Sequence, residues 1–169
     1  MKGKRKIKVW ENDNLVEEGE LFLPNIKSIV GLLQGTWNFR MYDNCFDGKN
    51  KLSDVDGSIE VYGHTLILEF KLERSALTAG QVVKAIRQAK HSNITTIFIF
   101  GQTDRPVEYL IFSPNNIKGS GFKKCNTAIL SMVFHNWNNW AKKNDLTKVG
   151  DNDWAIAKKY LDSVGGGKK

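Results

Sequence analysis

The stretch SDVDGSIEVYGHTLILEFKL, residues 53–72, decides the fold. Its two halves alternate apolar and polar side chains with period two, and Gly63-His64 separates them, which predicts a tight β-hairpin of Ser53–Tyr62 and Thr65–Leu72. Alternation sends Leu66, Leu68, Phe70 and Leu72 to one face and Ile67, Glu69, Lys71 and Glu73 to the other. In the first strand Val55, Gly57, Ile59 and Val61 form the apolar set; Asp54, Asp56, Ser58 and Glu60 form the polar one. With Gly63 and His64 as turn residues, antiparallel register pairs Ser58 with Glu69 and Asp56 with Lys71. Both apolar sets then share the core face. Asp56, Glu69 and Lys71 stand together on the opposite face, with Asp56 diagonal to Glu69 at roughly 7–8 Å between backbones. Asp54 lies on the same face, and a shifted register exchanges it with Asp56.

Carboxylates so placed repel each other unless a cation lies between them. Two oxygen ligands with open water positions describe Mg²⁺, with Mn²⁺ as a substitute, better than a soft transition metal. A hard cation there would hold a phosphate oxygen and acidify a bound water, while Lys71 would orient that water or stabilise charge on phosphorus. The chemistry implied is phosphodiester hydrolysis. Taken alone, Glu69 and Lys71 also fit an exposed ion pair of little energetic worth. An aspartate on the preceding strand and an acidic face in a basic protein favour the site.

Outward from the hairpin, Leu77–His91 is an amphipathic helix with Val82, Val83, Ile86 and Ala89 on one face and Lys84, Arg87 and Lys90 near the other. Ile94–Phe100 and Val107–Phe112 read as strands. Helices are expected over Ala128–Lys142 and Trp154–Leu161. Upstream, Leu21–Leu33 has apolar residues at helical spacing, and Thr36–Phe46 alternates bulky and polar groups as a strand would. The order helix, three strands, helix, two strands, helices predicts an α/β domain with a mixed β-sheet flanked by helices.

Asp56-Gly57, then Leu66-Ile67-Leu68-Glu69-Phe70-Lys71, then Gly80-Gln81 opening a helix, resembles the PD-(D/E)XK nuclease superfamily of restriction endonucleases, recombination exonucleases and Holliday-junction resolvases. The resemblance spans about residues 25–112. It implies a restriction-endonuclease-like core of helix, three strands, helix and strand, and a Mg²⁺-dependent cut of DNA. Asp56 matches the motif aspartate, Glu69 and Lys71 its ExK, and Gln81 the glutamine at the start of the following helix. Val55 stands where the motif has proline. Where many members place a glutamate on the first helix, this chain offers Gln34, with Glu17, Glu18 and Glu20 upstream. The small basic chain is similar to nucleases of phages and mobile elements. The alternative, from a different class, is a nuclease-fold protein of such an element that binds DNA or inhibits a protein without doing chemistry.

At 169 residues, 41% hydrophobic and 25% charged, the chain has the proportions of a single globular domain. A helical C-terminal extension is expected over about 126–162, with disordered basic ends at 1–8 and 164–169. The net charge of +7 divides unevenly: +5 over residues 1–8, −4 over 9–113 and +6 from Pro114 onward. Basic ends around an acidic centre suit a polyanion such as DNA. Lys84 and Arg87 on the helix, and Lys118, Lys123 and Lys124 in the glycine-bearing loop 115–126, are the candidate phosphate contacts. Trp137 and Trp140, three apart in the last long helix, fit either core or dimer-interface residues or a stacking platform for unpaired bases. Cys45 and Cys125 form no metal-binding or redox pattern and read as free thiols of a reducing compartment. No run is long and apolar enough for a signal peptide or a membrane span. A cytoplasmic location in a bacterial or phage-infected cell is expected, with a homodimer cutting both strands.

Overall fold

In the computed structural model the structure describes residues 5–21, 39–47, 52, 54–147 and 152–163. The chain divides into two compact units, Met1–Asp54 and Val55–Lys169. Of the expected helix over residues 21–33 only Leu21 is described, as the last residue of a strand; its remainder, Gln34 and the tail from 164 lie outside the described residues.

The first unit opens with a β-hairpin. Strand β1 (Arg5–Glu11) pairs antiparallel with β2 (Asn14–Leu21), so residues 5–8 are ordered in a ladder where a disordered end was expected. The reason is the turn: Asn12 and Asp13 both take positive φ (47° and 65°), the type I′ geometry whose twist matches paired strands, and Asn and Asp tolerate it best after Gly. Glu18 forms ion pairs with Lys6 and with Lys8, the latter at 3.4 Å. Two of the lysines of this basic end are therefore met by one carboxylate within the hairpin. The described part of the expected strand 36–46, Phe39–Cys45, is a 3₁₀ helix. Phe39, Tyr42 and Cys45 recur every third residue, which fits three residues per turn, and the aromatic alternation that suggested a strand is secondary to it.

The second unit carries a mixed sheet of five strands in the order β3-β4-β5-β6-β7. These are β3 (Gly57–Val61), β4 (His64–Lys71), β5 (Ile94–Gln102), β6 (Arg105–Phe112) and the short β7 (Lys123–Lys124). Neighbours are antiparallel except β4 and β5, which run parallel and are joined by helix α1 (Ala79–His91). Helix α2 (Thr127–Lys143) follows β7, and α3 (Asp153–Ser163), whose residues 153–162 are exposed, closes the described chain. The α/β class with a mixed sheet flanked by helices is thus the observed architecture.

The central strand β5 explains the layering. Thr95 through Phe100 are all buried, as expected of a strand covered on both faces. Phe98 and Phe100 pack with Leu110, Phe112, Ala85 and Ala89 beneath α1. Ile97 and Ile99 pack with Leu66, Tyr109 and Leu130 beneath α2. Burying one large side chain contributes about 1.5–3 kcal/mol, so this alternating double core is what fixes the sheet between its helices. Among the described residues no helix is long and apolar enough to cross a membrane.

The hairpin read from residues 53–72 is present, but its turn is Tyr62-Gly63, not Gly63-His64. Val61 pairs with His64, and Tyr62 and Gly63 both take positive φ (56° and 80°), again a two-residue type I′ turn. His64 is the first residue of β4 and is only 3% exposed. Its ring lies 4.6 Å from that of Trp140, and its Nε2 is 2.8 Å from the Asn144 carbonyl oxygen, a contact that requires the proton on Nε2. Beside it the Leu146 N–H donates to the Tyr62 carbonyl at 3.0 Å. The end of α2 therefore docks on the hairpin turn, a contact that local sequence does not encode.

Candidate functional site

The corrected turn moves the ladder. Ser58 pairs with Ile67 and Gly57 with Leu68, so the pairings of Ser58 with Glu69 and Asp56 with Lys71 do not form. Parity is unchanged, and the polar face is the one expected. The ladder stops at Gly57 and Leu68, one residue short of Asp56 and of Glu69. Strand β3 ends there because the Asp56 side chain takes over from its backbone: Oδ2 accepts the Phe70 N–H at 2.7 Å. This carboxylate is exposed yet pinned to β4. Asp54 is exposed as well and lies in the first unit.

Glu69 is 8% exposed, an unusual setting for a carboxylate unless it is partnered. Two donors meet its Oε2: Lys71 Nζ at 3.3 Å, from the same face of β4, and Gln81 Nε2 at 3.4 Å. Among the described residues no group is bonded to Oε1. Gln81 is aimed by the start of α1. Thr78 is the N-cap, its Oγ1 accepting the Gln81 N–H at 3.3 Å, while Gln81 Oε1 accepts the Thr78 N–H at 3.2 Å. This capping box satisfies two orphan amides of the helix and, by occupying Oε1, turns the Gln81 NH₂ toward Glu69. Lys84 and Gln88, one and two turns on, line a narrow crevice with Glu69, Gln81 and Thr96. The site is thus assembled by one hairpin and one helix start.

The phosphate-contact candidates do not share one track. Lys84 is exposed beside the Glu69 crevice, and Arg87 is exposed one turn further along α1. Across the sheet, Lys71 pairs with Phe100, Phe100 with Glu108 and Glu108 with Lys124, and residues directly opposite share a face. Lys124 therefore stands in the row of Lys71, three strands away, roughly 14–15 Å between backbones. Lys123, its neighbour along β7, points to the other face. Lys118 lies in a turn near the far end of β6, where the Ser120 N–H bonds the Ile111 carbonyl.

Arg74 and Glu108 carry no role in the sequence reading, yet they form the strongest charged contact near this row. Arg74 donates Nε and Nη2 to the two Glu108 carboxylate oxygens at 2.6 and 2.5 Å, and its guanidinium lies 4.2 Å from the Phe122 ring centroid. The bidentate hydrogen bonds raise the Arg74 pKa and lower that of Glu108, to which the charges of Arg74 and Lys124 add while desolvation opposes. The pair joins a 3₁₀ turn after β4 (Arg74–Ala76) to a strand two places away, a relation that neither segment reveals alone. Thr78, by contrast, was legible: Thr78-Ala-Gly-Gln81 has capping-box spacing.

The donor set suits a hard cation: carboxylate oxygens from Asp56 and Glu69, no thiolate or imidazole, and a buried Glu69 whose second oxygen is unbonded among the described residues. Among the described residues no group of three or more His, Cys, Asp or Glu converges. No protein-family model, curated protein or solved structure matches the chain.

Proposed function

We propose that this protein is a divalent-cation-dependent nuclease that hydrolyses DNA phosphodiester bonds at Asp56, Glu69, Lys71 and Gln81, in a restriction-endonuclease-like core. The observation that supports it is the buried Glu69 carboxylate, held by Lys71 and Gln81 at the point where Asp56 closes the hairpin ladder. The amide of the helix-cap Gln81 both offsets the burial of the Glu69 charge and holds the carboxylate in one orientation. A metal-binding residue requires such a fixed carboxylate.

In this reading Asp56 and Glu69 hold Mg²⁺, or Mn²⁺ in its place, which when bound supplies charge neutralisation at the phosphate and an acidified water. Lys71, which pairs with Glu69 at 3.3 Å, would, once displaced by a bound cation, hold the attacking water or the charge building on the phosphoryl oxygens. Gln81 steadies Glu69 and donates to water or phosphate. Lys84 and Lys124, both on the Glu69 face, bind the strand to either side of the cut, and Arg87 extends the contact along α1.

The test is incubation of labelled duplex, single-stranded and four-way-junction DNA with Mg²⁺ or Mn²⁺, wild type beside Glu69→Ala and Asp56→Ala. Cleavage is expected for wild type alone and is abolished by EDTA, with circular dichroism unchanged. Full cutting by Glu69→Ala refutes the assignment. The Lys71–Glu69 pair at 3.3 Å also favours a second reading, a nuclease-fold DNA-binding or inhibitor protein in which the site stays locked. Salt-sensitive DNA binding without cleavage under either metal would select it.

A further inference from the structure

The two edges of the five-stranded sheet are guarded unequally. At one edge β7 is two residues long and both are lysines, so it offers an incoming strand little backbone and two like charges. At the other edge β3 runs Gly57-Ser58-Ile59-Glu60-Val61, with no proline, no lysine and no bulge in its pairing. Among the described residues no strand pairs with β3 on its outer side. Ile59, at the centre of this strand, is 53% exposed. Beside it a groove of about 430 Å³ runs between β3 and α2, its lining including Ile59, Val61, Ser131, Phe134, His135 and Asn138. Trp137 and Trp140 are no stacking platform here: the first packs in the core beneath α2 and the second lies against His64.

The turn fixes which backbone groups of β3 are free. Val61 and His64 flank a two-residue turn and so exchange both of their backbone hydrogen bonds. Bonding alternates along an antiparallel ladder, so Gly57, Ile59 and Val61 direct their N–H and C=O groups to β4, while Ser58 and Glu60 direct theirs outward. A second β3 is complementary to this pattern. Laid antiparallel about Ile59, it sets Ser58 against the partner's Glu60 and Glu60 against the partner's Ser58, for four backbone hydrogen bonds. Ile59 meets the partner's Ile59 at the close, non-hydrogen-bonded spacing on the α2 face, and Val61 meets the partner's Gly57, which has no side chain to clash.

Charge selects this register over its neighbours. A shift of two residues one way opposes Glu60 to the partner's Glu60, and the other way opposes Asp56 to the partner's Glu60. The pairing about Ile59 opposes no like charges. It also gives Glu60, whose Oε1 accepts the Gly63 N–H at 2.6 Å, the partner's Ser58 hydroxyl as a second donor. We propose that β3 pairs with the β3 of a second copy of this chain, antiparallel about Ile59, joining two five-stranded sheets into one of ten strands. Directly opposed residues share a face, so both Glu69 carboxylates lie on the same face of the joined sheet. The dimer rests on β3 and stands whether or not the Glu69 site is active.

The experiment is sedimentation velocity of the full chain over about 1–500 μM, the range in which a small interface associates. The mass is expected to rise from 19.1 kDa toward twice that value. Ser58→Pro removes an outward N–H and leaves the bonds between β3 and β4 in place, and Ile59→Lys sets two like charges face to face. Each should raise the dissociation constant at least about tenfold with circular dichroism unchanged. Ile59→Cys, in a chain also carrying Cys45→Ser and Cys125→Ser, should form a disulfide-linked dimer under mild oxidation, because opposed Cα atoms about 4.5 Å apart are in disulfide range. Val61→Cys in the same background faces the partner's Gly57 and should not. A monomer at every concentration overturns the proposal. So does a dimer that both Ser58→Pro and Ile59→Lys leave unchanged, or one that Val61→Cys cross-links as well as Ile59→Cys.

Discussion

Replacing Gly63 by alanine tests the contact that sets the hairpin register. Gly63 has φ of +80°, and a Cβ built there falls 2.8 Å from Leu146 Cβ, inside any real carbon–carbon contact. Two costs add. The left-handed backbone strains an L-residue by about 1 kcal/mol. The methyl must also displace Leu146, and overpacking of this sort costs about 1–3 kcal/mol, taken near its lower end because Leu146 is 53% exposed and can yield. The sum for Gly63→Ala is about 2–3 kcal/mol of unfolding free energy. Gly121→Ala isolates the first part: its φ is +69° and nothing lies within 4 Å of the added Cβ, so it should lose only about 1 kcal/mol. Urea unfolding of both variants, followed by circular dichroism, reads the difference. Adding Leu146→Ala should return most of the excess in Gly63→Ala, a coupling a double-mutant cycle makes visible. If Gly63→Ala is no worse than Gly121→Ala, the segment after α2 neither presses on the turn nor holds the hairpin register.

Other outcomes follow from single contacts. Thr78→Ala removes the N-cap of α1 and should cost about 1 kcal/mol in urea unfolding, with Thr78→Ser restoring most of it. Glu108 titrates below the ordinary carboxylate value of about 4.3 because Arg74 hydrogen-bonds it. With the folded pKa depressed, its stabilising contribution is complete above that ordinary value and is lost as pH falls through the lower folded one. Glu108→Gln should therefore flatten the fall in unfolding free energy with acid in that window, and an unchanged slope would refute the link. Cys45 is exposed, whereas burial and the nearby Glu108 charge push the Cys125 thiol up, so iodoacetamide at neutral pH should label Cys45 well before Cys125 by mass spectrometry.

What could be read from residues 53–72 is governed by parity. Side chains alternate across a strand, so Glu69 and Lys71 share a face with Asp56 under any register that shifts by two, and the same arithmetic buries Leu66. The helix start at Thr78 and Gln81 was equally local, because a capping box is closed within four residues. In the first unit the Asn12-Asp13 turn between two short alternating runs carried a hairpin signal that basic composition outweighed. Phe39–Cys45 shows the reverse failure: bulky alternation implied a strand, although apolar groups three apart fit a 3₁₀ helix.

Sequence by itself determined which residues face together, since backbone geometry fixes a period of two for strands and 3.6 for helices. Tertiary structure decided which of them stand opposite. The Tyr62-Gly63 turn fixes the register, and the end of α2 buttresses it through Leu146 on Tyr62 and Asn144 on His64, some eighty residues away in the chain. The same holds for Arg74 with Glu108 and for the open edge of β3. Each depends on which strands are neighbours, and that is settled by packing on both faces of β5, a long-range burial that no local pattern specifies.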